Sequence, residues 1–209
     1  KALISPERYE RAKLFCKSQD RVRCICAELL LRYGLEQNGI PTNDLNFYYN
    51  PYGKPLLDLT PKVYFNISHS GDYVVCAISK ENVGVDIEAC TNDHLLLTED
   101  VLTDAELHCY HKMTEHEKKR YFCKLWTIKE SVVKYIGTGL QTPLCSVETC
   151  ISGNRVSANV SDKVSLYLHV SSIGAEYYSS ICTLNDTNYN IASITPLKLF
   201  SFFYGMIQK

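Results

Sequence analysis

The stretch VGVDIE, residues 83–88, alternates apolar side chains with small or acidic ones, which predicts a short strand. Side chains two residues apart point to the same face of a strand, so we expect Asp86 and Glu88 side by side. Two neighbouring carboxylates repel each other, and a hard divalent cation such as Mg2+ removes that repulsion. The pair therefore indicates either a metal site or a solvated strand face.

Two strands precede this stretch, at residues 63–67 and 73–79, and predict a hairpin with the polar tip SHSG at residues 68–71. Such a tip can offer hydroxyls, an imidazole and main-chain N–H groups to a phosphate. The alternative is a tight turn that only needs small polar residues. Ser68 and His69 are the candidates for ligand contact.

The strongest predicted helix covers residues 117–136 and is ended by Gly137 and Gly139. Within it, Glu130 and Lys134 are four residues apart at the edge of the apolar face. Their spacing fits a surface ion pair, which contributes only a few tenths of a kcal/mol, or a pair of site residues. An earlier helical region is expected from Ser5 to about residue 32, with Pro6 at its first position.

The basic residues near the start of the chain form a second candidate group. Arg8 and Arg11 share one helical face, and Arg23 lies on the next predicted helix. Guanidinium groups suit phosphate oxygens, although an exposed amphipathic helix explains the pattern equally well. Lys54 follows Gly53 on a turn and could also reach an anion.

The order of elements predicts an α+β fold of two similar halves, residues 1–80 and 81–209, each with a small antiparallel sheet packed against helices. A helix is expected near residue 95 and another after the capping-box spacing of Thr103 and Glu106. Short strands follow the long helix, at residues 146–151, 164–170, 177–184 and 189–194. The aromatic tail, residues 199–204, is expected to pack rather than bind a ligand.

The composition limits the partners of this chain. Its 209 residues carry a net charge of -1, which favours neither a nucleic acid nor a membrane surface as partner. Ten cysteines occur without a C-x-x-C pair, and we interpret them mainly as buried thiols in a reducing cytoplasm.

Taken in order, four motifs resemble the 4′-phosphopantetheinyl transferase superfamily, in its longer two-half class typified by the surfactin synthetase activator. They are YGKP at residues 52–55, FNISHS at 65–70, VGVDIE at 83–88 and WTIKESVVK at 126–134. The resemblance implies a pseudo-twofold fold and an enzyme that moves 4′-phosphopantetheine from coenzyme A to a serine of an apo acyl or peptidyl carrier protein, with Mg2+. It also implies release of adenosine 3′,5′-bisphosphate, and by analogy it favours secondary-metabolite biosynthesis.

The same resemblance implies roles for individual residues. It implies three metal ligands, two pyrophosphate contacts, two further residues lining the coenzyme A site and three arginines near the 3′-phosphate. In that order they are Asp86, Glu88 and Glu130; His69 and Lys134; Lys54 and Ser68; and Arg8, Arg11 and Arg23. Arginine stands at positions 8 and 11 where lysine is usual, and Glu106 matches a further acidic position.

Glu130, Lys134 and His69 are the expected catalytic residues. Either Glu130 or a metal-bound water would take the proton of the serine, and the sequence does not choose between them. Two rivals share some of these residues: an Mg2+-dependent pyrophosphatase that uses water as acceptor, and a binding module without turnover. A chain with two halves can supply its own interface, so a monomer is expected.

Overall fold

The computed structural model describes residues 3–91, 95–153, 155–160 and 165–207. Within these ranges the chain is a mixed α+β protein with small antiparallel sheets packed against helices, as the sequence predicts. The helices are α1 (Pro6–Lys13), α2 (Ser18–Gln37), α3 (Thr98–Val101), α4 (Asp104–Tyr110), α5 (Glu115–Ile136) and α6 (Pro196–Ile207). The strands are β1 (Phe47–Tyr49), β2 (Pro55–Leu57), β3 (Tyr64–Ser70), β4 (Tyr73–Ser79), β5 (Gly84–Ala89), β6 (Val147–Ser152), β7 (Arg155–Val160), β8 (Ser165–Ile173) and β9 (Tyr177–Thr183).

The first helical region consists of two helices, α1 and α2, that pack against each other. Ser5 caps α1, because its hydroxyl accepts a hydrogen bond from the main-chain N–H of Arg8. The longer helix α2 continues to Gln37, beyond the predicted end, and packs on the β3–β4 hairpin. Leu31, Leu35 and Phe65 belong to the core between them.

The β3–β4 hairpin differs from the sequence prediction at its tip. Strand β3 continues through Ser70, so Ser68 and His69 pair with Val75 and Val74 instead of forming a turn. The turn itself is Gly71-Asp72, because the main-chain pairing of β3 with β4 continues beyond the last apolar residue of β3. As a consequence, Ser68 and Ser70 point to one face of the strand and His69 to the other.

The second half is built on one antiparallel sheet with the order β5-β9-β8-β7-β6. Helix α5 packs against β5 and β9 at one side of this sheet and buries Leu125, Ile128 and Val132. It starts two residues before the predicted position, because Thr114 and Glu117 form a capping box. It ends at Gly137, whose φ of 81° places it in the left-handed region.

Three elements of the fold were not predicted. They are β2, β7 and α6. Residues 189–194, predicted as a strand, are irregular, and residue 164, the predicted start of a strand, lies outside the described residues. Helix α6 packs its Leu199 and Phe203 against Leu29 of α2, which confirms a packing role for the aromatic tail.

The cysteines are only partly buried. Cys24, Cys123 and Cys182 are buried, whereas Cys16, Cys109, Cys145 and Cys150 are exposed and the other three are intermediate. The prediction of mainly buried thiols is therefore wrong for four of the ten. None of the described helices is both long enough and apolar enough to cross a bilayer.

Candidate active site

The site forms where β5 crosses α5. Gly84 lies so close to the helix that a Cβ atom there would stand 2.0 Å from the carbonyl oxygen of Ser131 and 2.5 Å from the nitrogen of Tyr135. This glycine therefore permits backbone-to-backbone contact that a larger residue would prevent. The contact places Asp86, two residues along the strand, against Lys134 of the helix.

Asp86, Ser68 and Lys134 form a triangle of hydrogen bonds. Oδ1 of Asp86 accepts from Lys134 Nζ at 2.5 Å and from Ser68 Oγ at 2.7 Å, and Lys134 Nζ also donates to Ser68 Oγ at 2.9 Å. The side chain of Asp86 is buried, with 4% exposed, yet its second oxygen, Oδ2, has no hydrogen-bond partner. A buried carboxylate oxygen without a partner carries a desolvation cost, which makes this atom a candidate for contact with a ligand.

The electrostatics of the group favour one more positive charge. Burial raises the pKa of Asp86, and its contacts with Lys134 and Ser68 only partly offset this effect. Burial also raises the pKa of Glu130, assisted by the negative charges of Asp86 and Glu88, while Lys134 acts in the opposite direction. Among the described residues no group of three or more Asp, Glu, His or Cys side chains is already arranged around a metal position.

Glu88 repeats the pattern of Asp86 one step along the strand. Its Oε1 accepts from Ser70 Oγ at 2.6 Å, just as Asp86 accepts from Ser68. The two serines are two residues apart, as are the two carboxylates, so each serine of β3 lies opposite one carboxylate of β5. Ser70 Oγ also accepts the main-chain N–H of Ala89 at 3.0 Å, which fixes the hydroxyl.

His69 and Arg23 lie beside this group. Burial of its imidazole, followed by the charges of Arg23 and Lys134, lowers the pKa of His69, which favours the neutral form at pH 7. Arg23 donates to the carbonyl of Gly71 at 2.5 Å and pairs with Asp20. Its Nε is buried and has no hydrogen-bond partner, which leaves one donor open.

Arg8 and Arg11, the other predicted arginines, lie on α1. Arg8 Nε is 3.4 Å from the carboxylate of Glu28, a fully buried side chain that also accepts from Ser5 and Arg32. Arg8 Nη1 approaches the Cys24 sulfur at 3.9 Å, next to Arg23, and Arg11 is exposed on α1.

Lys54 binds the end of α5 rather than the carboxylates. Its Nζ donates to Asn82 Oδ1 at 2.9 Å and to the carbonyl of Tyr135 at 3.1 Å. Burial lowers the pKa of Lys54 to about 8.

The sequence places Ser70 in the polar SHSG tip, but Ser70 was not selected as a ligand contact, and no role was assigned to Lys129. Ser70 would have been found if the strand had been extended past the last apolar residue, because it keeps the two-residue period of Ser68. Lys129 is fully buried and pairs with Glu106 at 2.6 Å, which explains the acidic residue at position 106. No pattern in the sequence distinguishes this lysine from an exposed one.

Comparison with known proteins decides the family. A family model described as the 4′-phosphopantetheinyl transferase superfamily matches residues 82–190, and one for the N-terminal part of 4′-phosphopantetheinyl transferases matches residues 1–81. The chain belongs to the 4′-phosphopantetheinyl transferase superfamily. The resemblance seen in the sequence is thereby confirmed.

Individual transferases agree with this assignment. The 4′-phosphopantetheinyl transferase gsp of Aneurinibacillus migulanus is 32% identical over 94% of this chain and 82% of its own length. Sfp of Bacillus subtilis is 30% identical over 87% of this chain and 82% of its own length. A crystal structure of a holo-(acyl-carrier-protein) synthase from Bacillus anthracis, 18% identical, covers 48% of this chain and 92% of that one at a TM-score of 0.41. The named transferases and the family model, rather than this distant structure, show that the chain is an enzyme of the holo-carrier-protein synthase type.

Proposed function

We propose that this transferase moves the 4′-phosphopantetheine group of coenzyme A to a serine hydroxyl of an apo acyl or peptidyl carrier protein and releases adenosine 3′,5′-bisphosphate. The observation that supports this most directly is the buried, unpartnered Oδ2 of Asp86, next to Lys134 and Glu130. Three carboxylates repel a negatively charged pyrophosphate, so a cation must offset the charge of the carboxylates and of the pyrophosphate.

Mg2+ suits the chemistry of these carboxylates, which would have to draw together to hold it, because the described residues contain no ready-made group of three. It is a hard cation that takes carboxylate oxygens together with phosphate oxygens and water. Asp86, Glu88 and Glu130 would hold it, and the raised pKa of two of these groups indicates that negative charge there lacks compensation. When bound, the ion would neutralise charge on the pyrophosphate.

The remaining side chains would bind and orient coenzyme A. Lys134 carries a positive charge beside the carboxylates, and the neutral imidazole of His69 can donate one hydrogen bond to the pyrophosphate. Ser68 would line the site from the strand side, and Lys54 from the end of α5. The residues for the 3′-phosphate are Arg8, Arg11 and Arg23.

Arg23 is the best supported of these three arginines, because its Nε still has an open donor. Arg8 contacts Glu28 through its Nε, and this contact orients the guanidinium group. Fixed guanidinium groups bind a phosphate with less loss of side-chain entropy than free ones.

Glu130 is the proposed base for the serine proton. Its carboxylate lies one turn of α5 before Lys134 and close enough to Asp86 and Glu88 to interact with them electrostatically. Chemistry of this kind depends on alignment and charge stabilisation more than on covalent catalysis.

Intact-mass spectrometry tests this function against its rivals. An apo carrier protein is incubated with the enzyme, coenzyme A and Mg2+, and we expect it to gain the mass of phosphopantetheine. Chelation of the metal with EDTA should abolish the gain, and Glu130→Gln should reduce it strongly, with the exposed Glu148→Gln as matched control. Breakdown of coenzyme A without any carrier would instead support a pyrophosphatase, and binding without turnover would support a binding module.

The setting of the enzyme follows from the same proposal. We propose a cytoplasmic monomer that acts on carriers of secondary-metabolite synthases and binds neither nucleic acid nor a membrane. The net charge of -1 supports the last part, because it provides no field for a polyanionic surface. Light scattering of the purified protein checks the oligomeric state, and an obligate trimer would contradict it.

A further inference from the structure

The C-terminal end of α5 is held by side chains that come from outside the helix. The last carbonyls of a helix have no donor within it and need one from elsewhere. The carbonyl of Tyr135 accepts from Asn82 Nδ2 at 2.6 Å and from Lys54 Nζ at 3.1 Å. The carbonyl of Gly137 accepts from Asn50 Nδ2 at 2.8 Å. Two of these three donors, Asn50 and Lys54, belong to the first half of the chain.

Lys54 and Asn82 also hold each other, and Asn50 holds the turn that carries Lys54. Lys54 Nζ donates to Asn82 Oδ1 at 2.9 Å, so Asn82 uses both ends of its amide. Asn50 Oδ1 accepts the main-chain N–H groups of Tyr52 and Lys54, which fixes the turn that carries the lysine. A positive charge at the C-terminus of a helix is also favourable, since the helix dipole is negative there.

Close packing leaves this arrangement little freedom. A Cβ atom on Gly137 would stand 2.9 Å from Cδ of Lys54 and 3.1 Å from Nδ2 of Asn50. The glycine therefore lets the turn of the first half reach the helix end directly. Tyr135, whose carbonyl is bound twice, directly follows Lys134, the residue that contacts Asp86 and Ser68.

We propose that Asn50, Lys54 and Asn82 are positioning residues that clamp the end of α5 and so hold Lys134 and Glu130 in register with the carboxylates of β5. This inference rests on the proposed transferase function for its kinetic consequence. Displacing a catalytic group by about 1 Å can cost up to about 100-fold in rate, so a clamp on the helix end should affect turnover. The proposed contact of Lys54 with coenzyme A would be a second role of the same side chain.

The decisive variant is Asn82→Ala, because it removes two hydrogen bonds of the clamp but keeps Lys54. Kinetics of carrier modification and amide hydrogen exchange of the last turn of α5 are measured for this variant and the wild type. We expect kcat to fall about tenfold with the KM for coenzyme A changed by less than about twofold. Exchange in the last turn should become faster. The exposed Asn46→Ala is the matched control and should resemble the wild type.

Lys54→Met, alone and combined with Asn82→Ala, completes the test. If the two residues act in one clamp, their effects on kcat should be clearly non-additive. The proposal is overturned if Asn82→Ala keeps the wild-type kcat, whether or not exchange changes, or if Lys54→Met acts only by raising the KM for coenzyme A. A wild type that modifies no carrier would count against the proposed function instead, and hydrogen exchange would then still test whether Asn82 and Lys54 hold the helix end.

Discussion

Two lysines of helix α5 form salt bridges with carboxylates of other elements, and these two pairs differ in how completely they are satisfied. Lys129 is fully buried and contacts Glu106 and two main-chain carbonyls, at 2.6, 2.8 and 3.2 Å. Glu106 is satisfied as well, since it also accepts from Thr149 and from the N–H of Thr103. All three protons of the ammonium group thus have an acceptor, and the pair has no room for a ligand.

The second pair, Lys134 with Asp86, is open. The side chain of Lys134 is 28% exposed, and Asp86 keeps one buried oxygen without a partner. Two further carboxylates are nearby, and the negative charge of Glu88 raises the pKa of Glu130. Five residues along one helix therefore separate a pair that holds the fold together from a pair suited to binding. An incomplete polar network in a folded protein is a reason to look for a ligand.

The largest effect should come from removing the open carboxylate. Asp86→Ala takes away the proposed metal ligand and the partner of Lys134, and we expect transfer activity to fall at least about 1,000-fold, which is several kcal/mol of transition-state stabilisation. Titration of the variant with Mg2+ measures whether the metal dependence disappears too. The exposed Asp58→Ala is the matched control. Unchanged activity and Mg2+ dependence would remove Asp86 from the site.

The fully satisfied pair, Lys129 with Glu106, should affect stability instead of activity. Lys129→Met leaves Glu106 buried without its cation, and we expect a loss of about 3 kcal/mol in the free energy of unfolding. Chemical denaturation measures it, and transfer activity per folded molecule should stay near that of the wild type. Combining Lys129→Met with Glu106→Gln should recover much of the loss, because no unpaired charge remains.

A surface pair on the same helix provides the control for Lys129. Lys118 pairs with Glu115 at 2.7 Å, but Glu115 is 84% exposed. Exposed ion pairs contribute only about 0–1 kcal/mol, so Lys118→Met should change stability little. If it proved as destabilising as Lys129→Met, burial would not be the cause of the difference.

A smaller effect, in the opposite direction, is expected at Glu130. Glu130→Gln removes a partly buried charge that Asp86 and Glu88 repel, so the metal-free protein should become more stable by about 1 kcal/mol, or about 2–4 °C in Tm. Activity should nevertheless fall about 100-fold or more. Thermal unfolding and the carrier assay measure the two effects. A variant that is both less stable and fully active would contradict the contrast between the two pairs.

Much of the site was predictable from the sequence, because it depends on short-range periodicity. The two-residue period places Asp86 and Glu88 on one face, and the four-residue period places Glu130 near Lys134. Both are local properties. Capping boxes at Thr103 and at Thr114 are equally local, and the first of these was recognised.

The sequence could not show which strands and helices meet. The position of Lys54 at the end of α5 depends on a contact between residues 81 positions apart. Burial of Lys129 likewise depends on Glu106 and on the carbonyl of Leu144 from other elements. Tertiary packing decides both of these cases rather than local preference. Strand β7 is a different case, because Val156, Ala158 and Val160 alternate with polar residues and this local signal was available in the sequence.

The smallest effect is the pH dependence of the metal-free protein. The folded-state pKa values of Asp86 and Glu130 are raised above those of the unfolded chain, so the folded state binds more protons and stability falls as pH rises through those raised pKa values. Bound Mg2+ would remove this penalty. We therefore expect millimolar Mg2+ to raise Tm by a few degrees more at pH 7.5 than at pH 5, where protons already neutralise part of the charge. Asp86→Ala should lose this difference. Lys129→Met should keep it, since the pair of Lys129 with Glu106 takes no part in the proposed metal binding. A Tm shift that does not depend on pH in the wild type would mean that the open pair is not where the cation binds.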